Sequence, residues 1–151
     1  LSDFDEKMMQ KLKRLKREVE RLQRWERPKS PVFLTTPLTS TDWDGDSHST
    51  TPKTKIDLST VFGVPAGVKA VDAFVNMRDS GSATTYCYMY LSPTDTPNVG
   101  KVFSCDNGKN DGLVPVSAIV PCDANGDIYY QIVASGVGTM DVTIHIWGYW
   151  L

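Results

Sequence analysis

The spacing of apolar and polar positions changes character once along the chain, close to residue 28. Before that point Leu1, Met8, Leu15 and Leu22 share one heptad position and Leu12 and Val19 the other, so apolar residues recur in alternating steps of four and three. This spacing predicts an amphipathic helix with a narrow coiled-coil seam. No Pro or Gly interrupts Ser2 to Arg27, and the other positions are mostly Lys, Arg, Glu and Gln. Ser2 or Asp3 serves as the N-terminal cap, with Glu6 three residues after Asp3 in a box-like spacing, and Pro28 and Pro31 end the helix. A lone helix of this size is marginal in water, so its stripe must be buried on the chain's own β domain or on sister chains. The seam from Lys11 to Arg24 is narrower than the face of a helix lying on a core, which favours sister chains. Phe4 and Met9 widen the stripe near the start, so a trimer is expected ahead of a dimer. Asp5 and Glu26 at core positions weaken the ends, and Trp25 is expected to pack at the junction with the following domain.

Beyond Pro31 the period becomes two. Val71, Ala73, Val75 and Met77 alternate with Asp72, Phe74, Asn76 and Arg78, and the run stops at Asp79-Ser80-Gly81-Ser82. The next run, 84 to 91, places Tyr86, Tyr88 and Tyr90 on one face and Cys87, Met89 and Leu91 on the other, and the two runs are expected to form a hairpin. Similar runs occupy 32 to 38, 53 to 58, 101 to 105, 114 to 120, 127 to 134 and 139 to 150, with Gly- and Asp-rich turns between the later ones. About eight short strands without a βαβ period predict a mainly β fold, a jelly-roll-like β-sandwich preceded by an N-terminal coiled-coil helix. The expected organisation is an oligomerisation helix at 1–27, a linker with a possible first strand at 28–52 and the sandwich at 53–151, with 28–151 as one unit the alternative. A chain that opens at Leu1 is expected to be a processed product or a fragment, and its close on Trp150-Leu151 is expected to pack against a sheet or a neighbouring subunit.

Composition sharpens this division. The net charge of −2 conceals ten Lys/Arg against six Asp/Glu in residues 1–29, and six against twelve thereafter. Every Glu lies at or before Glu26 and every Gly at or after Gly45, in keeping with helix first and strands afterwards. Interleaved Glu18, Glu20 and Glu26 argue against a nucleic-acid partner for the basic helix, because they offset the counterion release that phosphate contacts provide. No apolar run reaches the roughly 20 residues that a membrane span needs, so membrane insertion is not expected. Cys87, Cys105 and Cys122 cannot all pair within one chain, and none forms a Cys-x-x-Cys motif. They are expected to be buried thiols, with a Cys105 to Cys122 bridge the alternative.

Candidate chemistry is sparse. Asp42-Trp43-Asp44-Gly45-Asp46 departs from the calcium-loop pattern and lacks its distant Glu, so a turn is expected there and no metal. Catalytic motifs are missing, and His48 and His145 are the only near-neutral bases; no catalytic residue, cofactor or enzyme activity is expected. Aromatics offer a better route to function, since sugar rings stack on indole and phenol faces while carboxylates accept hydroxyl hydrogen bonds. The expected ligand-binding residues are a loop-borne Trp43 with Asp42 and Asp44, then the stripe of Tyr86, Tyr88 and Tyr90, for which a subunit interface or a second core face is the ordinary alternative. Trp147 and Trp150 are expected to be structural.

The heptad helix, the Pro-rich junction, the β-sandwich and the closing segments Asp127-Ile128-Tyr129-Tyr130-Gln131-Ile132 and Ile144-His145-Ile146-Trp147-Gly148-Tyr149-Trp150-Leu151 resemble bacteriophage tail-fibre and other virion-fibre proteins. The likeness spans the architecture of the chain, and at residue level it is confined to the last quarter. It implies a homotrimer assembled in the host cytoplasm and located in the virion, contacting other virion proteins and binding a host-surface receptor or glycan. A purely architectural part, such as a collar, plug or head decoration, and a lone glycan-binding module are the alternatives.

Overall fold

The computed structural model describes residues 2–26 and 30–151, the side chains of residues 24–26 excepted. Helix α1 covers Asp3–Glu26. Its start is a reciprocal capping box, shifted from the expected one. The Ser2 hydroxyl accepts from the Asp5 amide at 3.2 Å, and the Asp5 carboxylate accepts from the Ser2 amide at 3.1 Å. This explains a carboxylate at a seam position, because Asp5 satisfies orphan backbone donors at the helix end. The expected seam residue Leu1, the junction role of Trp25 and the stop at Pro28 lie outside the described residues or side chains.

Nine strands follow among the described residues: β1 (Val32–Leu38), β2 (Asp44–His48), β3 (Thr51–Ile56), β4 (Ala70–Asp79), β5 (Tyr88–Ser92), β6 (Lys101–Ser104), β7 (Val114–Pro121), β8 (Ile128–Val133) and β9 (Met140–Trp150). They form two antiparallel sheets. One has the order β1-β9-β4-β7, with β2 also paired to β9; the other has the order β3-β8-β5-β6. The fold is therefore mainly β with an N-terminal helix. Strand alternation directs Val71, Ala73, Val75 and Met77 of β4 and Val142, Ile144 and Ile146 of β9 into a core completed by Met89, Leu91, Ile128 and Ile132 from the other sheet. Residues 32–52 contribute β1, β2 and the start of β3, paired with β9 and β8.

Two local expectations change, and one alternative is set aside. The runs at 71–78 and 84–91 do not form a hairpin, because β4 is already flanked by β9 and β7 and has no free edge for β5. The chain instead crosses between sheets through a turn held by Asp79. Its buried carboxylate accepts from the Gly81 amide at 2.8 Å, the Ser135 amide at 3.0 Å, the Thr139 hydroxyl at 3.0 Å and the Ser135 hydroxyl. Burial raises the pKa of this carboxyl, the hydrogen bonds from Ser135, Gly81 and Thr139 outweigh it, and the net shift is downward.

The run at 53–58 ends early. Asp57 accepts from the Thr60 amide at 3.0 Å and caps a short helix, α2 (Leu58–Phe62), whose Leu58 and Phe62 are buried. Finally, Cys105 faces Cys87 rather than Cys122. The Tyr88↔Ser104 register makes the two cysteines cross-strand neighbours, and the Cys105 amide donates to the Cys87 carbonyl at 3.0 Å. All three are free thiols. No helix among the described residues is long and apolar enough to cross a membrane.

Candidate functional site

Two surfaces and two depressions carry the residues singled out by the sequence. The first surface is α1 itself. Every described side chain of this helix is exposed, so neither its polar nor its apolar face rests on the sheets. Met8, Leu12, Leu15, Val19 and Leu22 each retain about half their area in solvent, between 46% and 55%, in a single stripe. A 24-residue helix without tertiary packing has to draw its stability from propensity and local pairs such as Lys7 with Asp3, at 2.7 Å. Burying that stripe on a partner helix would remove a large apolar area from water at roughly 25 cal/mol per Å².

The second surface is the outer face of the β3-β8-β5-β6 sheet. Because Met89 and Leu91 are committed inward, Tyr88 and Tyr90 point outward, and Tyr86 continues the row just before β5. The rings of Tyr86 and Tyr88 lie 5.1 Å apart, and those of Tyr88 and Tyr90 5.4 Å apart at 86°. Tyr86 is exposed, while Tyr88 and Tyr90 are half-buried. Lys53 of β3 lies with its ammonium 5.6 Å from the Tyr90 ring centre and donates to the Val99 carbonyl at 2.8 Å. Gln131, opposite Tyr90 on β8, exchanges hydrogen bonds with Asn98 at 2.8 and 2.9 Å. The result is a ridge of phenol faces edged by an amide pair and a cation. Lys53, Gln131 and Asn98 had no signal in the sequence, since they reach the stripe only through strand pairing and the 93–100 loop.

The first depression holds Trp43, which is not the solvent-facing loop residue expected. It closes a 3-10 turn, Thr41–Trp43, and its indole is buried. One face stacks on His48, with centroids 4.9 Å apart and planes at 17°, and Tyr130 meets it edge-on at 4.8 Å. The ring is committed to packing, because the 44–48 segment forms β2 on β9 and brings His48 back over it. Its edge still contributes to a cleft of about 280 Å³ with Asp42, His48, Lys55, Ile56, Val61 and Tyr130. Burial lowers the pKa of His48, against the opposing pull of Asp46 and Asp141. Asp44 lines a different depression of about 330 Å³, beside Asn76, Arg78, Asp141 and Thr143. Asp42 and Asp44 therefore do not converge on one ligand position, and neither joins the tyrosine row.

Trp147 and Trp150 lie near the end of β9. Alternation with the buried Ile144 and Ile146 sets Trp147 on the outer face, where it is 38% exposed, and a bulge in the β4–β9 pairing then makes Gly148 the partner of Asp72. Trp150 is half-buried and meets Phe33 edge-on, ring centres 6.4 Å apart. Comparison of the chain with known protein families finds no matching family model, and comparison with curated proteins finds no match.

Proposed function

We propose that this chain is a subunit of a homotrimeric virion fibre, of the kind found in bacteriophages, whose α1 helices associate as a parallel coiled coil and whose β domain binds a host-surface receptor or glycan. The observation that carries this reading is the heptad stripe of α1, solvent-exposed along its described length. Strand order gives further support. With β2 set aside, the eight remaining strands run first-eighth-third-sixth in one sheet and second-seventh-fourth-fifth in the other, an order that supports the jelly-roll-like reading of the fold. Jelly rolls occur in viral capsid and lectin domains, which is support by analogy of fold rather than of site.

For the ligand, the tyrosine ridge is preferred to Trp43, whose face is already covered. Three copies on one stalk would raise avidity without a new contact. Light scattering of the full chain tests the assembly. A threefold mass that drops for Leu15→Asp is the expected result, because a charge in the seam is costly to bury. A glycan array then tests the ridge, with Tyr86→Ala reducing retained binding. Trimeric mass with no glycan or cell binding would favour the architectural role instead.

A further inference from the structure

The outer face of the β1-β9-β4-β7 sheet carries large apolar side chains at one end, around the single carboxylate of Asp72, and is polar at the other. At the polar end Arg78 of β4 bonds Asp141 of β9 at 2.9 Å and lies 3.6 Å from Asp111. At the apolar end the registers Phe33↔Gly148, Gly148↔Asp72 and Asp72↔Ile119 set one row across all four strands. Phe33 is 70% exposed and Ile119 52%, and Trp147 and Trp150 flank Gly148 in the sequence of β9. Gly148 is what lets the Phe33 ring lie across the sheet, since a Cβ there would fall 2.9 Å from the Val32 carbonyl and 3.3 Å from that ring. Large apolar side chains clustered on a sheet face mark an interaction surface.

The apolar end is also the end at which the helix is attached. Six Cα steps separate Glu26 from Val32, so the connection spans at most about 20 Å. A domain of roughly 120 residues is about 35 Å across. Helices in a coiled coil lie about 8–10 Å apart. Tethers shorter than the domain is wide crowd sister domains around the stalk and keep the Val32 end, with Phe33 beside it, nearest the axis.

We infer that the patch formed by Phe33, Trp147, Trp150 and Ile119 is a contact between copies of this chain, packed at the head of the stalk, which leaves the tyrosine ridge on the opposite sheet facing outward. This rests on the helix-mediated association proposed above. Self-contact needs no foreign partner, because the tether places the same patch of each copy at high effective concentration.

Hydroxyl-radical footprinting of the full chain, read by mass spectrometry, tests it against the Leu15→Asp variant. Oxidation of Phe33 and Trp147 should be several-fold lower in the assembled wild type than in the variant, while Tyr86 keeps one rate in both. Phe33→Asp, at an exposed position, should leave the assembled mass unchanged and raise Trp147 oxidation several-fold. An oligomer in which Phe33 and Trp147 oxidise as fast as in the variant overturns the inference and leaves the helix reading standing. Protection of Tyr86 in place of Trp147 also overturns it, by assigning the contact to the other sheet. A monomeric wild type overturns both. Should Leu15→Asp remain assembled, the Phe33→Asp arm decides, and an unmoved Trp147 rate refutes the patch.

Discussion

Replacing Asp79 with alanine removes the acceptor that ties two separated segments together. The buried carboxylate receives four hydrogen bonds, from the Gly81 amide, the Ser135 amide and hydroxyl and the Thr139 hydroxyl, and so fixes the 79–82 turn to the β8–β9 connection. A hydrogen bond to a charged group contributes about 1.5–3 kcal/mol, and each donor left buried without a partner costs about 1–3 kcal/mol. The four are not additive, because Gly81, Ser135 and Thr139 are themselves only half-buried and water can reach some of them after the change. A loss of about 3–4 kcal/mol is expected for Asp79→Ala, and about 2 kcal/mol for Asp79→Asn, which keeps one acceptor oxygen.

Urea unfolding of the full chain at pH 7, followed by tryptophan fluorescence, measures this as a drop in midpoint at unchanged slope. The carboxyl's folded pKa lies below its ordinary 3.8, so its contribution is present above that value and is lost as pH falls through the folded pKa. The gap between wild type and Asp79→Asn should therefore narrow below about pH 4. A change under 1 kcal/mol for Asp79→Ala, or a gap that does not close in acid, would refute the claim that this carboxylate holds the crossover.

Three further outcomes are expected. Burial raises the thiol pKa of Cys87 to about 11 and those of Cys105 and Cys122 to about 12, so native protein at pH 8 should react slowly with a thiol-disulfide reagent and release all three thiols only on unfolding. Rapid native labelling of Cys87 or Cys105 would contradict the packing of β5 against β6. Gly126→Ala should cost about 2–4 kcal/mol in the same urea assay, because φ is +90° and the added Cβ would fall 2.6 Å from the Gly67 amide nitrogen; a neutral result would mean that the 123–127 turn relaxes freely. His48, depressed below its ordinary 6.5 by burial, favours the folded state above that pH and penalises it as pH falls, since the unfolded chain takes up the proton first. Thermal melts between pH 7.5 and 5.5 should fall further for wild type than for His48→Gln, and equal slopes would count against a buried imidazole.

Local period and composition were enough to place the elements. The heptad spacing of Met8, Leu12, Leu15, Val19 and Leu22 marks a helix, and the alternation of Val71 to Met77 marks a strand with one face inward, because each geometry repeats over a few residues. All eight strand segments read from the sequence have counterparts near their expected positions. Short polar pieces were less legible. β2 is Asp44-Gly45-Asp46-Ser47-His48, which has turn composition and becomes a strand only because β9 offers it an edge. The α2 helix depends on one cap, Asp57, within a run that otherwise reads as strand.

Partner choice is a different kind of information. Alternation says which face of β4 is buried but not which strand lies beside it, so the absence of a β4–β5 hairpin was decided by β9 and β7 taking both edges of β4. The same holds at the surfaces. That Trp43 is buried under His48, that Lys53 reaches Tyr90, and that Phe33 and Trp147 share a face with Ile119 all follow from pairings between residues more than 30 positions apart or from a bulge. A sequence encodes such pairings only through the whole core, since many strand orders satisfy the same local pattern and the total burial selects among them.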